Sequence, residues 1–207
     1  MTRVKICGVN DPPSLRAATE AGADWVGFVF FPPSPRALTP AAAAALSATS
    51  PGGPARVGLF VEPQDDEIEA ALLALQLDVL QIYADVLRAA AVRARFGRPV
   101  WRAVGVGAGA DLPQATEPVD GYVIEARPPD GATRPGGNAH TFDWTLLQGW
   151  RAPHPWLLAG GLDPANVQDA IAAAHAPAVD VSSGVERSRG VKDPDLIRAF
   201  IAAARGN

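Results

Sequence analysis

Two spacings of apolar residues alternate along this chain. Short runs with a period of two, rich in Val, Ile, Leu, Phe and Trp, read as strands with two different faces. They lie near Val4–Cys7, Trp25–Phe30, Arg56–Val61, Val79–Tyr83, Val100–Val104, Gly121–Glu125, Trp156–Ala159 and Val179–Ser182. Between them run stretches of helical period, such as Val167, Ala170, Ile171, Ala174 and Leu196, Ile197, Phe200, Ile201. Four of these are announced by a capping side chain before a proline at the first helical position: Asp11-Pro12, Thr39-Pro40, Asp163-Pro164 and Asp193-Pro194. The spacing predicts helices over about 12–22, 40–49, 64–76, 85–97, 143–150, 164–175 and 194–204, with a short one near 112–117.

Strict alternation of strand and helix means parallel strands joined by crossover helices. Eight such units predict an α/β fold of the closed (β/α)8 TIM-barrel type, one domain spanning 1–207. An open doubly wound sheet is the alternative, and Gly105-Val106-Gly107-Ala108-Gly109 invites it. That run lacks the third spaced glycine, and Asp111-Leu112-Pro113 follows where a long helix should start. Pro/Gly-rich stretches at 50–54 and 127–137 read as loops, the second long enough to carry function.

Composition narrows the class. With 48% hydrophobic and 19% charged residues the chain is too apolar to be disordered. A net charge of -4 offers no footprint for nucleic acid or an anionic membrane surface. No basic segment followed by an apolar core opens the chain, and runs such as Trp25–Phe31 are too short to span a bilayer. A single cysteine excludes an internal disulfide and fits a reducing cytoplasm. His140, His154 and His175 have no metal-ligand spacing among themselves or with Cys7, so no metal is expected.

If the apolar face of each strand meets the helices, Lys5, Gln81, Arg102, Asp180 and Ser182 face the barrel axis. A buried cation needs a partner. Strand 8 adjoins strand 1 in a closed barrel, which predicts a Lys5–Asp180 pair. Such a layer can hold register or take part in chemistry, and the sequence leaves both open. Cys7 and Glu125 stand at strand ends, where barrel enzymes keep their reactive groups. A small buried hydrophobe is the plain reading of Cys7, but Lys5 two residues earlier on the same face favours a thiolate. Glu125 follows Tyr122-Val123-Ile124 and so points to the cavity, with a surface salt bridge to Arg127 as the alternative. A thiol and a carboxyl group across one mouth suit proton transfers on a sugar.

Two glycine-bearing turns predict an anion site. Ala159-Gly160-Gly161-Leu162 follows strand 7, and Ser182-Ser183-Gly184-Val185-Glu186 follows strand 8, the place where barrels bind phosphate through backbone N–H groups and a short extra helix. Arg36 ends the stiff loop Phe31-Pro32-Pro33-Ser34-Pro35-Arg36, poised to grip a carboxylate with two hydrogen bonds.

These residues resemble a known family. Lys5-Ile6-Cys7-Gly8, Gly27-Phe28-Val29-Phe30 with Ser34-Pro35-Arg36, Thr141-Phe142-Asp143-Trp144, Leu158-Ala159-Gly160-Gly161-Leu162 with Asn166-Val167, and Val179-Asp180-Val181-Ser182-Ser183-Gly184-Val185-Glu186 with Gly190 and Lys192-Asp193 are similar, in order, to phosphoribosylanthranilate isomerases. The resemblance implies a cofactor-free Amadori rearrangement in tryptophan biosynthesis, acting on a small phosphorylated substrate, in a monomer or homodimer. It implies Cys7 as the base and Glu125 as the acid. Arg36 would hold the anthranilate carboxylate, Tyr83 and Asp180 would line the substrate site, and Gly160, Gly161, Ser183 and Gly184 would hold phosphate. Three departures surround the mouth. Glu125 stands where the family usually has aspartate. Gln81-Ile82-Tyr83-Ala84 replaces Gln-Leu-His-Gly, and Gly136-Gly137-Asn138-Ala139-His140 replaces Gly-Gly-Thr-Gly. Beside the isomerase itself stand two alternatives: an isomerase of another phosphorylated amino-sugar, and a phosphate-metabolite binder without turnover.

Overall fold

The structure, a computed structural model, describes residues 1–127 and 141–206. Eight parallel strands close into a barrel in chain order: β1 (Arg3–Cys7), β2 (Trp25–Val29), β3 (Ala55–Val61), β4 (Val79–Tyr83), β5 (Val100–Val106), β6 (Gly121–Ala126), β7 (Trp156–Leu158) and β8 (Ala178–Val181). Helices α1 (Pro12–Glu20), α2 (Pro40–Ala48), α3 (Asp65–Ala74) and α4 (Val86–Phe96) follow the first four strands, and α5 (Val167–Ala174) and α6 (Pro194–Arg205) follow the last two. A hairpin, β9 (Glu186–Ser188) and β10 (Val191–Lys192), stands between β8 and α6. The (β/α)8 barrel expected from the alternation is therefore present.

The helix starts follow from local chemistry. Asp11 accepts a 2.9 Å hydrogen bond from the Ser14 N–H, Thr39 one of 3.2 Å from Ala42, and Asp193 one of 2.8 Å from Asp195. Each satisfies an N–H that the first helical turn leaves without a partner. Asp163 does the same for Ala165 and Asn166, but as a separate turn, so α5 begins only at Val167. No helix forms near 112–117; one 3-10 turn, Gly109–Asp111, precedes it. Over 143–150 only the 3-10 turn Trp144–Leu147 is present. Both segments carry Pro or Gly and are too short to reward helix nucleation.

Three layers fill the barrel. At its amino end Trp25, Val57, Val79, Trp101, Val123, Leu157 and Ala178 pack together, with the Trp25 and Trp101 rings edge to face at 5.2 Å. Lys5, Gln81, Asp180 and Glu125 form a polar layer above, all buried. Cys7, Val29, Leu59, Phe31, Val61 and Tyr83 line the mouth at the carboxyl end. A larger apolar shell, including Ile6, Phe28, Phe60, Ile82, Ile124 and Val179, packs outward against Leu15, Ile68, Ile197 and Phe200.

Arg102 departs from the expected placement. It faces the helices, where its guanidinium makes a two-pronged pair with Glu117 at 2.7 Å, while Trp101 belongs to the inner layer. Val100-Trp101-Arg102-Ala103-Val104 is apolar on both sides of the arginine, so periodicity gave no contrast between faces. Long polar side chains next to solvent-reachable loops find partners more cheaply outside than in.

Candidate active site

Closure of the barrel sets Lys5 opposite Asp180 in the register of β1 and β8. The Lys5 ammonium donates to Asp180 Oδ1 at 2.9 Å, with the lysine wholly buried. The expected pair is formed. Burial alone would lower the lysine's pKa, but Asp180 and Cys7 beside it hold it above its ordinary value. Removing either partner would strand a buried charge, a cost of about 3–5 kcal/mol.

Cys7, Tyr83, Glu125, Asp180, Arg36, Gly160, Gly161 and Ser183 all line one cleft at the carboxyl end of the barrel. The thiol and the carboxyl group thus share a cavity, as the sequence predicts. Glu125 is 5% exposed and its alternative partner, Arg127, pairs instead with Asp111. Burial pushes the Glu125 carboxyl up to about 8, with Asp180 adding to the effect and Tyr83 and Lys5 opposing it. It therefore carries a proton at neutral pH. Burial also raises the Cys7 thiol; Lys5 and Lys192 pull it down, and Asp180 works against them. The thiolate that Lys5 was expected to favour is not the resting state, because burial outweighs the ammonium's pull and Asp180 offsets part of it. A proton donor and a masked base face one space.

The loops after β7 and β8 meet in a cradle. Gly160 and Gly161 both have left-handed backbone (φ +88° and +64° respectively), which turns successive N–H groups toward one concavity. Neither of these N–H groups, nor that of Gly184, has an acceptor among the described residues. At Gly184 a Cβ would lie 1.9 Å from the Leu162 carbonyl oxygen, so only glycine lets the two loops touch. The short extra helix reduces to one 3-10 turn, Ser183–Val185.

Arg36 lies at the rim but is not free. Its Nε and Nη2 donate to Glu186 at 2.6 and 3.0 Å, and only Nη1 is uncommitted among the described residues. Glu186 also accepts from the Lys192 ammonium at 2.9 Å and from the Gly190 N–H at 2.9 Å. Its own burial would raise it, but Arg36 and Lys192 together hold it at about 2. Lys192 bonds on to the Ser182 carbonyl at 2.8 Å, and the Ser182 hydroxyl donates to the Cys7 carbonyl at 3.2 Å. One hydrogen-bonded chain joins Arg36 to the carboxyl end of β1. Glu186 and Lys192 had no role in the sequence reading. The signal was an arginine in a rigid loop needing a counter-charge, but sequence could not choose among 22 acids. The apolar wall of Val29, Leu59, Val61 and Leu162 was also missed, although β3 carries Leu59 and Val61 at the inward spacing. Gly136-Gly137-Asn138-Ala139-His140 lies outside the described residues. Among those described, no group of three or more His, Cys, Asp or Glu side chains could hold a metal ion.

With this geometry in view, three comparisons bear on the chain. A family model described as N-(5'-phosphoribosyl)anthranilate isomerase matches residues 4–203. Proteins named N-(5'-phosphoribosyl)anthranilate isomerase are similar along their whole length. The one from Acidiphilium cryptum is 58% identical over 204 residues, covering 99% of this chain and 98% of its own. The one from Granulibacter bethesdensis is 50% identical over 206 residues, covering 99% of each. Among solved structures, the Thermotoga maritima phosphoribosylanthranilate isomerase superposes with a TM-score of 0.88 at 35% identity over all of both chains. Monomers generated from that dimeric isomerase superpose at 0.84 and 35% identity, again over both whole chains. A phosphoribosylanthranilate isomerase in complex with reduced 1-(o-carboxyphenylamino)-1-deoxyribulose 5-phosphate superposes at 0.84, with 34% identity over both whole chains.

Proposed function

The chain belongs to the N-(5'-phosphoribosyl)anthranilate isomerase family, and on that premise we propose how its own residues carry the reaction. The activity is the Amadori rearrangement of N-(5'-phosphoribosyl)anthranilate to 1-(2-carboxyphenylamino)-1-deoxyribulose 5-phosphate, an aldose–ketose isomerisation of tryptophan biosynthesis. Glu125 donates its proton to the furanose ring oxygen. The C1'–O bond breaks, and the nitrogen lone pair forms the C=N bond of a protonated Schiff base. Cys7, as thiolate, then removes the proton from C2', and the electron pair of that C–H bond neutralises the iminium to give the enolamine. The enolamine tautomerises to the ketone.

Each group's environment supports its assignment. A carboxyl group kept protonated to about pH 8 is a proton donor at physiological pH. The thiol costs more to ionise, but the cationic Schiff base forms beside it and lowers that cost when the base is needed. Lys5 supports the thiolate from below. The N–H groups around Gly160, Gly161, Ser183 and Gly184 suit the phosphate. Arg36 offers Nη1 and its charge to the anthranilate carboxylate while Glu186 fixes its plane. Tyr83 and Asp180 stand at the substrate's flank. A single barrel domain over 1–207, working as monomer or homodimer, is the unit we propose. The Thermotoga maritima relative is dimeric, and monomers have been generated from it. One free, buried cysteine supports a reducing, cytoplasmic setting, and no described helix is long and apolar enough to cross a membrane.

The observation that carries this reading is the shared cleft of Cys7 and Glu125. It predicts that purified protein consumes phosphoribosylanthranilate, followed by loss of substrate fluorescence. Cys7→Ala and Glu125→Gln should each lower kcat by about 10²–10⁴-fold. Turnover at the wild-type rate in either variant removes that residue's role.

A further inference from the structure

Glu125 does not stand alone in the cleft. Tyr83 ends β4 and lines the same cleft as the Glu125 carboxyl group, whose rise on burial it opposes. In order around the barrel only β5 separates β4 from β6. The inward positions of β5 at this height are Ala103 and Gly105, and Gly105 is the register partner of Glu125. An alanine and a glycine leave nothing between the phenol and the carboxyl group. A tyrosine on one neighbour and a glutamate on the other can therefore meet across the gap.

The tyrosine's own surroundings orient it. Gln81, two residues earlier on the same face, presents its Nε2 to the Tyr83 oxygen at 3.5 Å. With a lone pair turned toward that N–H, the phenolic proton is left for Glu125. We propose that the Tyr83 hydroxyl is a positioning group for the acid, donating to the carboxylate that forms as Glu125 gives up its proton. This rests on the reading of Glu125 as the acid. As the proton moves to the ring oxygen, the C1'–O bond breaks and Glu125 becomes an anion in a buried site. The O–H···O⁻ bond that Tyr83 then donates is charge-assisted, so it favours the transition state over the ground state. Tyr83 keeps its own proton throughout, because burial and the nearby Glu125, Cys7 and Asp180 hold the phenol well above its ordinary range. The bond also selects one carboxyl oxygen for Tyr83, leaving the other to carry the proton toward the substrate. An acid on a flexible side chain gains from such a tether.

The test is Tyr83→Phe, which keeps the ring and removes one oxygen, examined alone and combined with Glu125→Gln. For the single variant we expect kcat to fall about 10- to 100-fold, the loss of one charge-assisted hydrogen bond, with KM changed less than about threefold. The ¹³C signal of the Glu125 carboxyl should titrate at higher pH than in the wild type, a change that altered packing would not produce. In the Glu125→Gln background the tyrosine substitution should have no further effect on kcat. Wild-type kcat and an unmoved Glu125 titration in Tyr83→Phe would overturn the proposal while leaving the acid assignment intact. An equal fall in both backgrounds would also overturn it, since Tyr83 would then act on something other than Glu125. If Glu125→Gln alone turned over normally, the acid assignment itself would be what failed.

Discussion

Glu125 shows most plainly what this site costs. A carboxyl group that titrates near 4.5 in the unfolded chain and about 8 in the folded one binds its proton more tightly when folded. Below the unfolded value both states are protonated and nothing is lost. As pH rises from about 4.5 to about 8 only the unfolded state releases the proton, so native stability falls through that window and levels off above it. Glu125→Gln removes the penalty. Its stability relative to wild type, from urea unfolding at pH 5 and pH 8, should rise across the window by on the order of 4 kcal/mol. Parallel stabilities at the two pH values would mean that Glu125 is ionised in the native protein. The carboxyl group was legible in the sequence because it ends an apolar strand; its protonation was not, because that depends on burial by residues from other strands. The thiol shows the same limit. Lys5 at two residues' distance and its pairing with Asp180 were readable, but the burial that raises the thiol was not.

At the scale of elements, the loops after β7 and β8 do what neither could alone. Gly160 and Gly161 turn the chain, and Gly184 lets it pass against Leu162. Gly184→Ala would drive the two loops apart. The variant should lose at least about tenfold in phosphate affinity, read as the shift in melting temperature on adding inorganic phosphate, while its melting temperature without phosphate falls too. A phosphate-induced shift equal to the wild type's would show that the cradle does not need this contact. The glycines were visible as turn signals, yet the 3-10 turn and the β9–β10 hairpin were not, since three- and two-residue strands carry no period. That hairpin matters, because Glu186 at one end pairs with Arg36 and Lys192 at the other end pairs with Glu186. The proline-stiffened loop was a sound clue to a fixed guanidinium. Which group fixes it is a tertiary fact.

For the whole molecule, strand–helix alternation and three proline-capped helix starts were enough to read the barrel. Residue order around a closed barrel then gave the Lys5–Asp180 pair without coordinates. Arg102 went the other way, because both faces of a barrel strand are apolar and one charged residue does not say which face it takes. What closure adds is a floor of packed aromatic and branched side chains beneath a polar layer, and above it one mouth lined by both Cys7 and Glu125. Both groups are shifted upward, so the working form, with carboxyl protonated and thiol ionised, is a minor partner of the form with the proton on sulfur. The pH dependence of kcat/KM for phosphoribosylanthranilate reports this state of the free enzyme most directly. The profile should be a bell displaced to alkaline pH. Its rising limb should have an apparent pKa near 8, distinct from the substrate phosphate's ionisation at about 6, and it should fall only at higher pH as the second proton leaves. A plateau reaching down to about pH 5 would mean that Glu125 gives up its proton as an ordinary carboxylic acid, and the acid–base account would be wrong.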